Sequence, residues 1–250
     1  MLLLIDAGNT RIKWALQKTG QPIGDWFAAG SVTHADMGTL AEQWHAYAID
    51  RCLISNVAGE AIAAQLLQLV GSLSLPDSAL QWFASTLLRA GIRNGYRQPQ
   101  QLGCDRFAAL IAAHYLYPRQ SLLVVTCGTA TTIDALDEQG NFIGGMILPG
   151  LATMARSLAV NTAGLPAVTE VKFADSFADN TQEAIISGCI NAQVGAICRA
   201  LENRNGAAKL CILSGGAARF IAPHLPMPCE QIDNLVLIGL AASALEPAAT

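Results

Sequence analysis

Apolar runs that end at a glycine turn occur near the start of both halves of the chain, and a second β-type run follows each turn. These runs are Leu2–Asp6 and Arg11–Leu16 in the first half, and Leu122–Thr126 and Thr131–Leu136 in the second. The two turn glycines, Gly8 and Gly128, lie 120 residues apart, and Leu2, Leu3 and Ala15 recur as the same residue types at that offset. The repetition predicts two related lobes, with chance similarity of two apolar strands as the alternative.

Between and after these runs, short apolar segments alternate with segments of helical composition. Strands are also predicted at Ile23–Ala29, Arg51–Ser55, Leu80–Ala84, Phe142–Ile147 and Lys209–Ser214. Helices are predicted at Leu40–Ala48, Ala58–Val70, Asp105–Tyr117, Leu151–Ala159 and Thr181–Asn203. This order predicts an α/β protein in which both lobes open with an antiparallel meander. The best boundary is at Pro118, which gives lobes 1–117 and 118–250, packed closely with a cleft between them.

Composition narrows the range of partners. With 52% hydrophobic and 14% charged residues, the 250-residue chain is typical of a folded globular protein. The formal net charge is -4 and no basic run is present, so nucleic acid is not expected as a partner. The seven cysteines include no C-x-x-C pair, which argues against a disulfide framework and a thiolate zinc site. No continuous apolar run reaches roughly 18 to 20 residues, so we expect a cytoplasmic protein with no membrane partner.

The first glycine loop, Asp6-Ala7-Gly8-Asn9-Thr10, places a carboxylate at the end of a strand and a glycine in the turn that follows. A glycine lets backbone N–H groups approach an anion, and Lys13 adds a positive charge nearby. One interpretation is a phosphate cradle in which Asp6 faces a hydrated Mg2+. The other is an ordinary hairpin turn, since Asp, Gly and Asn are common turn residues.

The second half offers two further loops with backbone and hydroxyl donors. Gly128 to Thr132 carries no charge, and opposite the first loop it would hold a triphosphate from the other side of the cleft. The turn Ser214-Gly215-Gly216-Ala217 would let an adenine or a ribose lie against bare backbone, although a Gly-Gly turn is more often only a turn. Neither a G-x-G-x-x-G string nor a Walker loop is present, which disfavours those two nucleotide sites.

A third set of candidate residues precedes a predicted helix. These residues are Gly95-Tyr96 and the string Leu102-Gly103-Cys104-Asp105-Arg106. The string places one acidic and one positively charged side chain close to the start of the helix. Asp105 either caps the helix, with Arg106 as a solvated neighbour, or accepts the proton of a substrate hydroxyl while Arg106 and Tyr96 hold a polar substrate. Spacing alone leaves both interpretations open.

Taken in order along the chain, these motifs resemble the type III pantothenate kinases, which belong to the superfamily of acetate kinase, sugar kinases, Hsp70 and actin. The resemblance rests on Asp6-x-Gly8-Asn9-Thr10-x-x-Lys13, Gly95-Tyr96, Leu102-Gly103-x-Asp105-Arg106, Gly128-Thr129-Ala130-x-Thr132-x-Asp134, Gly144-Gly145-x-Ile147-x-Pro149-Gly150, Asn180-Thr181, Gly188, Ser214-Gly215-Gly216 and Leu235-Val236-Leu237-x-Gly239-Leu240. It implies the actin-like ATPase fold, with two ribonuclease H-like lobes that each hold a mixed five-stranded sheet flanked by helices.

The resemblance also implies an activity, ATP-dependent phosphorylation of pantothenate to 4'-phosphopantothenate, the first step toward coenzyme A. Asp105 would accept the proton of the pantothenate alcohol, Asp6 would hold Mg2+ through water, and family members act as homodimers. The implied ATP-binding residues are Asp6, Ala7, Gly8, Asn9, Thr10, Arg11, Ile12, Lys13 and Thr129, joined by Gly215 and Gly216 of the adenosine loop. The implied pantothenate-binding residues are Tyr96, Gly103, Cys104, Asp105, Arg106 and Thr181.

One position departs from the family pattern. The family usually has an aspartate that binds a monovalent cation where this chain has Thr126. A hydroxyl is a poorer K+ ligand than a carboxylate, which argues against dependence on K+ or ammonium. Two rival functions remain, another small-molecule kinase of the same superfamily and a nucleotide-binding regulatory factor, because the family also resembles an accessory factor implicated in transcription.

Overall fold

A computed structural model of the 250-residue chain describes residues 1–73, 75–168, 177–203, 208, 210–227 and 229–245, with the side chain of residue 77 left aside. The strands are β1 (Leu2–Ala7), β2 (Arg11–Gln17), β3 (Ala28–Thr33), β4 (Arg51–Asn56), β5 (Leu80–Trp82), β6 (Leu88–Arg89), β7 (Ile92–Asn94), β8 (Leu122–Cys127), β9 (Ala130–Leu136), β10 (Asn141–Pro149), β11 (Leu210–Ser214) and β12 (Cys229–Gln231). The helices are α1 (Leu40–His45), α2 (Glu60–Gly71), α3 (Cys104–Leu116), α4 (Leu151–Asn161), α5 (Thr181–Asn203), α6 (Ala218–Ile221) and α7 (Leu235–Ser243).

The chain divides into two compact units. The first holds Met1–Pro118, Gly140–Phe142 and the residues from Asn234 onward, and the second holds Arg119–Gln139 and Ile143–Asp233. The predicted lobes 1–117 and 118–250 differ from this division at Pro118, which belongs to the first unit, and in two further segments. A short segment at the start of β10 and the C-terminal helix α7 belong to the first unit.

The first unit is built on a five-stranded sheet in the order β3-β2-β1-β4-β5. The strands β3, β2 and β1 pair antiparallel, whereas β1, β4 and β5 pair parallel. One face of this sheet buries alternate apolar side chains in a core with α1 and α2, among them Ile5, Ile12, Trp44, Ile54 and Leu66. Residues between these positions on each strand point to the opposite face, because successive side chains of a strand alternate.

The second sheet has seven strands in the order β12-β11-β8-β9-β10-β7-β6, two more than the five that the resemblance implies. Its strands β12, β11, β8 and β9 and most of β10 belong to the second unit. The pair β8 and β9 is antiparallel, and β11 is parallel to both β8 and β12. One face packs against α5 in a core that includes Val125, Ile133, Ile190, Ile197 and Leu213. The mixed sheets of the two units, with their helices, confirm the predicted α/β class.

Most predicted elements agree with the structure within a few residues, and α5 has the predicted bounds. A third strand that pairs antiparallel with β2 is present as predicted, but the bounds Ile23–Ala29 lie too early in the chain. Gly24 has a φ of +100° and the Asp25 amide donates to the Pro22 carbonyl, so this segment forms a turn. The observed strand β3 follows this turn. Lys209 of the predicted strand 209–214 lies outside the described residues. The short strands β6, β7 and β12 carried no recognisable pattern.

Among the described residues, α5 has the length and composition of a helix that could cross a membrane, with a mean hydropathy of 1.4. The expectation from sequence concerned continuous apolar runs, whereas α5 reaches this length by mixing apolar with small polar residues. A core helix passes the same test, and Ile186, Ile190 and Ile197 of α5 are buried in the second unit. The absence of a membrane partner stays a prediction.

Candidate functional site

Three polar side chains form a row across the sheet of the first unit. In the pairing register, Lys13 of β2 lies beside Asp6 of β1, and Asp6 lies beside Ser55 of β4. Their neighbours Ile5, Ile12 and Ile54 belong to the core on the other face. The row therefore lies on the opposite face of the sheet, at the end of β1 that leads into the first glycine loop.

Helix α3 brings a second carboxylate to this row. The helix begins after Gly103, and the Ser55 hydroxyl donates to Cys104 Sγ at 3.3 Å. Cys104 Sγ in turn lies 3.5 Å from the Asn56 carbonyl oxygen and donates to it. These two contacts attach the first turn of α3 to the end of β4. The next residue, Asp105, is thereby held close enough to Asp6 for its charge to act on that carboxyl group.

Burial raises the pKa of both carboxyl groups. The pKa of Asp6 is raised to about 7, first by burial and then by the negative charge of Asp105, while Lys13 opposes the shift. Burial also raises the pKa of Asp105, and the Arg106 amide and guanidinium oppose that shift. The Arg106 amide donates to Asp105 Oδ1 at 2.8 Å. Two neighbouring carboxyl groups whose pKa values are raised by burial are typical of a functional site.

Asp105 is not the cap of α3. Gly103 occupies the cap position without a side-chain cap bond, and Asp105 lies within the first turn. The cap interpretation is therefore wrong at that position. An acid in the first turn is still favoured by the helix dipole, which accounts for part of the local preference for aspartate.

Arg106 is buried to 7% exposure and supports the site from the next position. Its Nη1 atom donates to the Tyr96 hydroxyl at 3.0 Å, and its guanidinium carbon lies 5.6 Å from the centre of the Tyr96 ring. The Tyr96 ring packs against Phe142 with centroids 5.3 Å apart. These contacts hold the Tyr96 and Arg106 side chains together.

The first glycine loop is a tight connection between β1 and β2. The Gly8 amide donates to the Arg11 carbonyl at 3.1 Å, and His34 Nε2 donates to the Gly8 carbonyl at 2.9 Å. The Arg11 side chain extends toward β3, where Nε donates to Ser31 Oγ at 2.8 Å. Asn9 and Thr10 at the tip are exposed. The loop therefore presents its tip to solvent, while Arg11 and His34 hold its base.

The second glycine loop joins β8 to β9 in the second unit and is one residue shorter than the first. The Gly128 amide donates to the Ala130 carbonyl at 2.9 Å, and Thr129 is exposed. The Gly150 amide donates to the Thr129 carbonyl at 2.9 Å, and a Cβ on Gly150 would lie 2.0 Å from the Gly128 carbonyl oxygen. Only glycine permits this approach, which explains in physical terms why the Pro-Gly string stands at the end of β10.

The Gly-Gly turn after β11 lies beside the same loop. Gly215 has a φ of +92°, and a Cβ there would lie 2.4 Å from the Cys127 carbonyl oxygen. The Ala217 amide donates to that carbonyl at 3.2 Å. The second unit therefore brings together the predicted nucleotide residues Thr129, Gly215 and Gly216.

Thr181 lies elsewhere in the second unit, at the start of α5. The Asn180 side chain caps this helix by accepting a hydrogen bond from the Glu183 amide at 3.0 Å. Thr181 lines a mainly apolar cavity of about 550 Å³ between α4 and α5. The cavity is also lined by Pro149, Met154, Leu158, Leu165 and Ile185.

Three residues that help to build the site were not expected from sequence. Ser55 and Asn56 anchor Cys104, and His34 holds the loop at Gly8. The sequence places Ser55 only at the end of a buried strand, although a polar pair that follows an apolar run is a signal for a site at the carboxyl end of a strand. His34 carries no comparable signal, because its partner lies 26 residues away in the chain.

The carboxyl groups suit Mg2+ better than a metal that needs a full set of protein ligands. Within the described residues, no group of three or more His, Cys, Asp and Glu side chains is gathered to hold a metal. Mg2+ prefers one or two carboxylates, with water and phosphate oxygens completing the shell. Asp6 and its neighbour Asp105 can supply the one or two carboxylates of that donor set.

Comparison with known proteins assigns the family. A sequence model described as Type III pantothenate kinase matches residues 2–203. A curated protein of that name from Janthinobacterium sp. (strain Marseille) is 52% identical over 264 residues, which covers 100% of both chains.

Solved structures agree on the fold. A 2-dehydro-3-deoxygalactonokinase homologue from Sinorhizobium meliloti superposes with a TM-score of 0.61 at 12% identity, covering 98% of each chain. A Campylobacter jejuni protein described as a Baf family transcriptional activator gives a TM-score of 0.59 at 20% identity, covering 96% of this chain and 95% of that one. At such low identities these likenesses show the fold alone, which is the actin-like ATPase and sugar kinase fold.

The family match agrees with the site, in which two carboxyl groups meet beside a glycine loop and the Leu102–Arg106 string leads into α3. The chain belongs to the type III pantothenate kinase family.

Proposed function

We propose that this protein transfers the γ-phosphoryl group of ATP to the primary alcohol of pantothenate, with Asp105 as the proton acceptor. The family supports the reaction, and the meeting of Asp6 and Asp105 carries the assignment of roles. The alcohol oxygen forms the new bond to phosphorus, the bond from phosphorus to ADP breaks, and the alcohol proton goes to the Asp105 carboxylate. Phosphoryl transfer depends mainly on alignment and charge neutralisation, so little covalent help is needed.

Each of the site residues in the first unit has a distinct role in this reaction. Asp105 orients the alcohol and takes its proton, and its pKa, raised by burial, makes it a stronger base than an ordinary carboxylate. Tyr96 and Arg106 bind the polar groups of pantothenate. Lys13 and the amides of the first loop bind phosphate oxygens. When bound, Mg2+ would be held through water by Asp6 and would neutralise phosphate charge.

In the second unit, Thr129 contributes to phosphate binding, and the turn at Gly215 and Gly216 accepts the adenosine. The close approach of Gly215 to the Cys127 carbonyl supports this proposal, since it places the turn beside the loop that carries Thr129. Thr181 is proposed to contact pantothenate, as the family resemblance implies, and the apolar cavity beside it would accept an uncharged part of a ligand.

The affinity for magnesium nucleotide is expected to rise with pH up to about 7, where the pKa of Asp6 lies in the free protein. Below that pH, Asp6 holds a proton that must leave before its carboxylate can face the cation, which lowers affinity up to tenfold per pH unit. Titration of MgATP between pH 6 and 8 measures this. In Asp6→Asn the affinity should be weaker and the pH dependence should disappear, and a wild-type pH dependence in that variant would contradict the assignment.

The folding free energy should show the opposite trend with pH. The folded chain holds the Asp6 proton more tightly than the unfolded chain, since the pKa rises from 3.8 to about 7. This contribution to stability is present below about pH 3.8 and is lost as the pH rises through about 7. Asp6→Asn should therefore lose that part of the pH dependence in urea unfolding of the free protein.

K+ and ammonium are expected to have little effect on the rate, because Thr126 offers a hydroxyl where a carboxylate would bind the cation. The rate in a K+-free assay should change less than about twofold when K+ is added. In the variant Thr126→Asp, added K+ should accelerate turnover. Steep activation of the wild type by K+ would show that the hydroxyl suffices.

One experiment tests the function itself. The purified protein is incubated with MgATP and pantothenate, and mass spectrometry measures whether the mass of pantothenate increases by one phosphate group. A panel of sugars and carboxylates as acceptors tests the rival small-molecule kinase. Nucleotide binding with no phosphorylated acceptor would favour the rival regulatory factor.

We also propose a cytoplasmic homodimer. Exposed apolar side chains on β10 and α4 support the dimer, since Ile147 is 64% exposed and Val160 is 75% exposed. Sedimentation should give about twice the chain mass of 26.3 kDa, and a mass of one chain would contradict the dimer.

A further inference from the structure

A row of three hydroxyl groups crosses the sheet of the second unit. Ser214 of β11 lies beside Thr126 of β8, and Thr126 lies beside Thr132 of β9. The neighbouring residues Val125, Ile133 and Leu213 belong to the core against α5. The three hydroxyl groups therefore share the opposite face, next to the second glycine loop.

This hydroxyl row has a counterpart in the first unit. The row Ser55, Asp6 and Lys13 occupies the corresponding strands, and Thr126 follows Asp6 by the same 120 residues that separate the two loop glycines. The first row carries one negative and one positive side chain. The second carries hydroxyl groups alone, so it can donate hydrogen bonds without adding charge.

One hydroxyl of the row, that of Thr132, makes no hydrogen bond with the part of the chain that the structure describes. Thr132 is 9% exposed, and its Oγ1 atom has no hydrogen-bond partner among the residues that the structure describes. Its neighbour Thr131 faces the core and donates to Gln193 Oε1 at 2.8 Å. A buried hydroxyl that lacks a partner is costly unless a ligand or a water supplies one.

We infer that Thr132 is a further nucleotide-binding residue, whose hydroxyl donates to a phosphate oxygen of ATP. The inference rests on the proposed kinase function. It follows from the position of Thr132, three residues after Thr129 of the second loop, and from its place across from Thr126 at the end of β8. Phosphate oxygens have no proton, so they accept from a hydroxyl whose own partner is missing. The row contains no negatively charged side chain that would repel the bound phosphate.

The test compares Thr132→Val with the control Ser121→Ala, which removes a buried hydroxyl of the same unit outside the loop. Binding of Mg2+ and a non-hydrolysable ATP analogue is measured by calorimetry, and the unfolding midpoint is measured without ligand. Thr132→Val should weaken analogue binding about tenfold and raise the unfolding midpoint by about 2 to 6 °C, because an unsatisfied hydroxyl is removed. Ser121→Ala should bind the analogue like the wild type and should unfold at a lower temperature, because the Ser121 hydroxyl donates to the Leu136 carbonyl. Thr132→Ser should restore binding.

Three outcomes would overturn the inference. Wild-type analogue affinity in Thr132→Val would remove the phosphate contact. A lower unfolding midpoint without ligand would show that a buried water already satisfies the hydroxyl. Loss of affinity seen only in the presence of K+ would assign the hydroxyl to a monovalent cation instead. Phosphorylation of pantothenate by the wild type is measured in parallel, so failure of the kinase function is seen separately from failure of the Thr132 contact.

Discussion

Replacing Asp105 with asparagine is expected to lower the turnover of pantothenate by about 10²- to 10⁴-fold, which is the usual contribution of a positioned general base. Asparagine keeps the shape of the side chain, but it has no carboxylate to take the alcohol proton. Binding of MgATP should persist. It should even extend to lower pH, because the negative charge of Asp105 is one of the causes that raise the pKa of Asp6. Steady-state rates and a pH series of MgATP titrations measure both effects.

The matched control is Asp25→Asn, which changes an exposed aspartate of the same unit. Asp25 lies outside both the polar row that contains Asp6 and the Leu102–Arg106 string. Its turnover and its MgATP affinity should equal those of the wild type. Turnover near the wild-type rate in Asp105→Asn would remove Asp105 from the mechanism. Loss of MgATP binding in that variant would indicate a role in folding or nucleotide binding instead.

The largest effect on stability is expected from Gly239→Ala in α7. A Cβ at this position would lie 1.8 Å from the Ala108 carbonyl oxygen and 2.5 Å from its carbonyl carbon. Both atoms belong to the backbone of α3, so no side chain can rotate away and the two helices must separate. We expect a loss of at least about 3 kcal/mol of folding free energy and a midpoint lowered by about 6 °C or more.

The two helices also link this prediction to catalysis. The first turn of α3 carries Asp105 and Arg106, so any folded Gly239→Ala protein should lose turnover as well. The control is Gly195→Ala in α5, where a Cβ would meet nothing within 4 Å. That helix position is exposed, and alanine there should stabilise the protein by about 0.5 to 1 kcal/mol. Equal urea midpoints for the two variants would contradict the close contact of α3 and α7.

The edge strand β3 shows where local pattern misleads. The apolar residues at Ile23–Ala29 suggested a strand, yet the paired residues lie later, in a segment with little β preference. Gly30 stands opposite Trp14 in the register, and a Cβ there would lie 2.7 Å from the indole nitrogen of Trp14. The packing of Trp14 therefore requires a glycine at position 30 of the neighbouring strand. A partner 16 residues away leaves no periodicity for a sequence pattern to reveal.

The candidate site also combines residues that local sequence patterns reveal with residues that only folding brings to it. The two glycine loops, the string at Asp105 and the cap at Asn180 are local features, since strand ends, turns and helix starts depend on residues a few positions apart. Their residues can therefore be named from the chain's own pattern. The partners Ser55, Asn56 and His34 come from segments remote in the chain, and their contribution depends on which strands pair and which helix lies over them.

By itself the amino-acid sequence determined the order of strands and helices, the two glycine loops, the uncharged residue at Thr126 and the family resemblance. Only the tertiary structure decided that Asp105 raises the pKa of Asp6 from a position 99 residues away, that α7 belongs with the first unit, and that the Thr132 hydroxyl has no partner among the described residues. The physical reason is one of range. Turns and periodicity arise from neighbouring residues, whereas desolvation, charge repulsion and close backbone approach depend on atoms that only folding brings together.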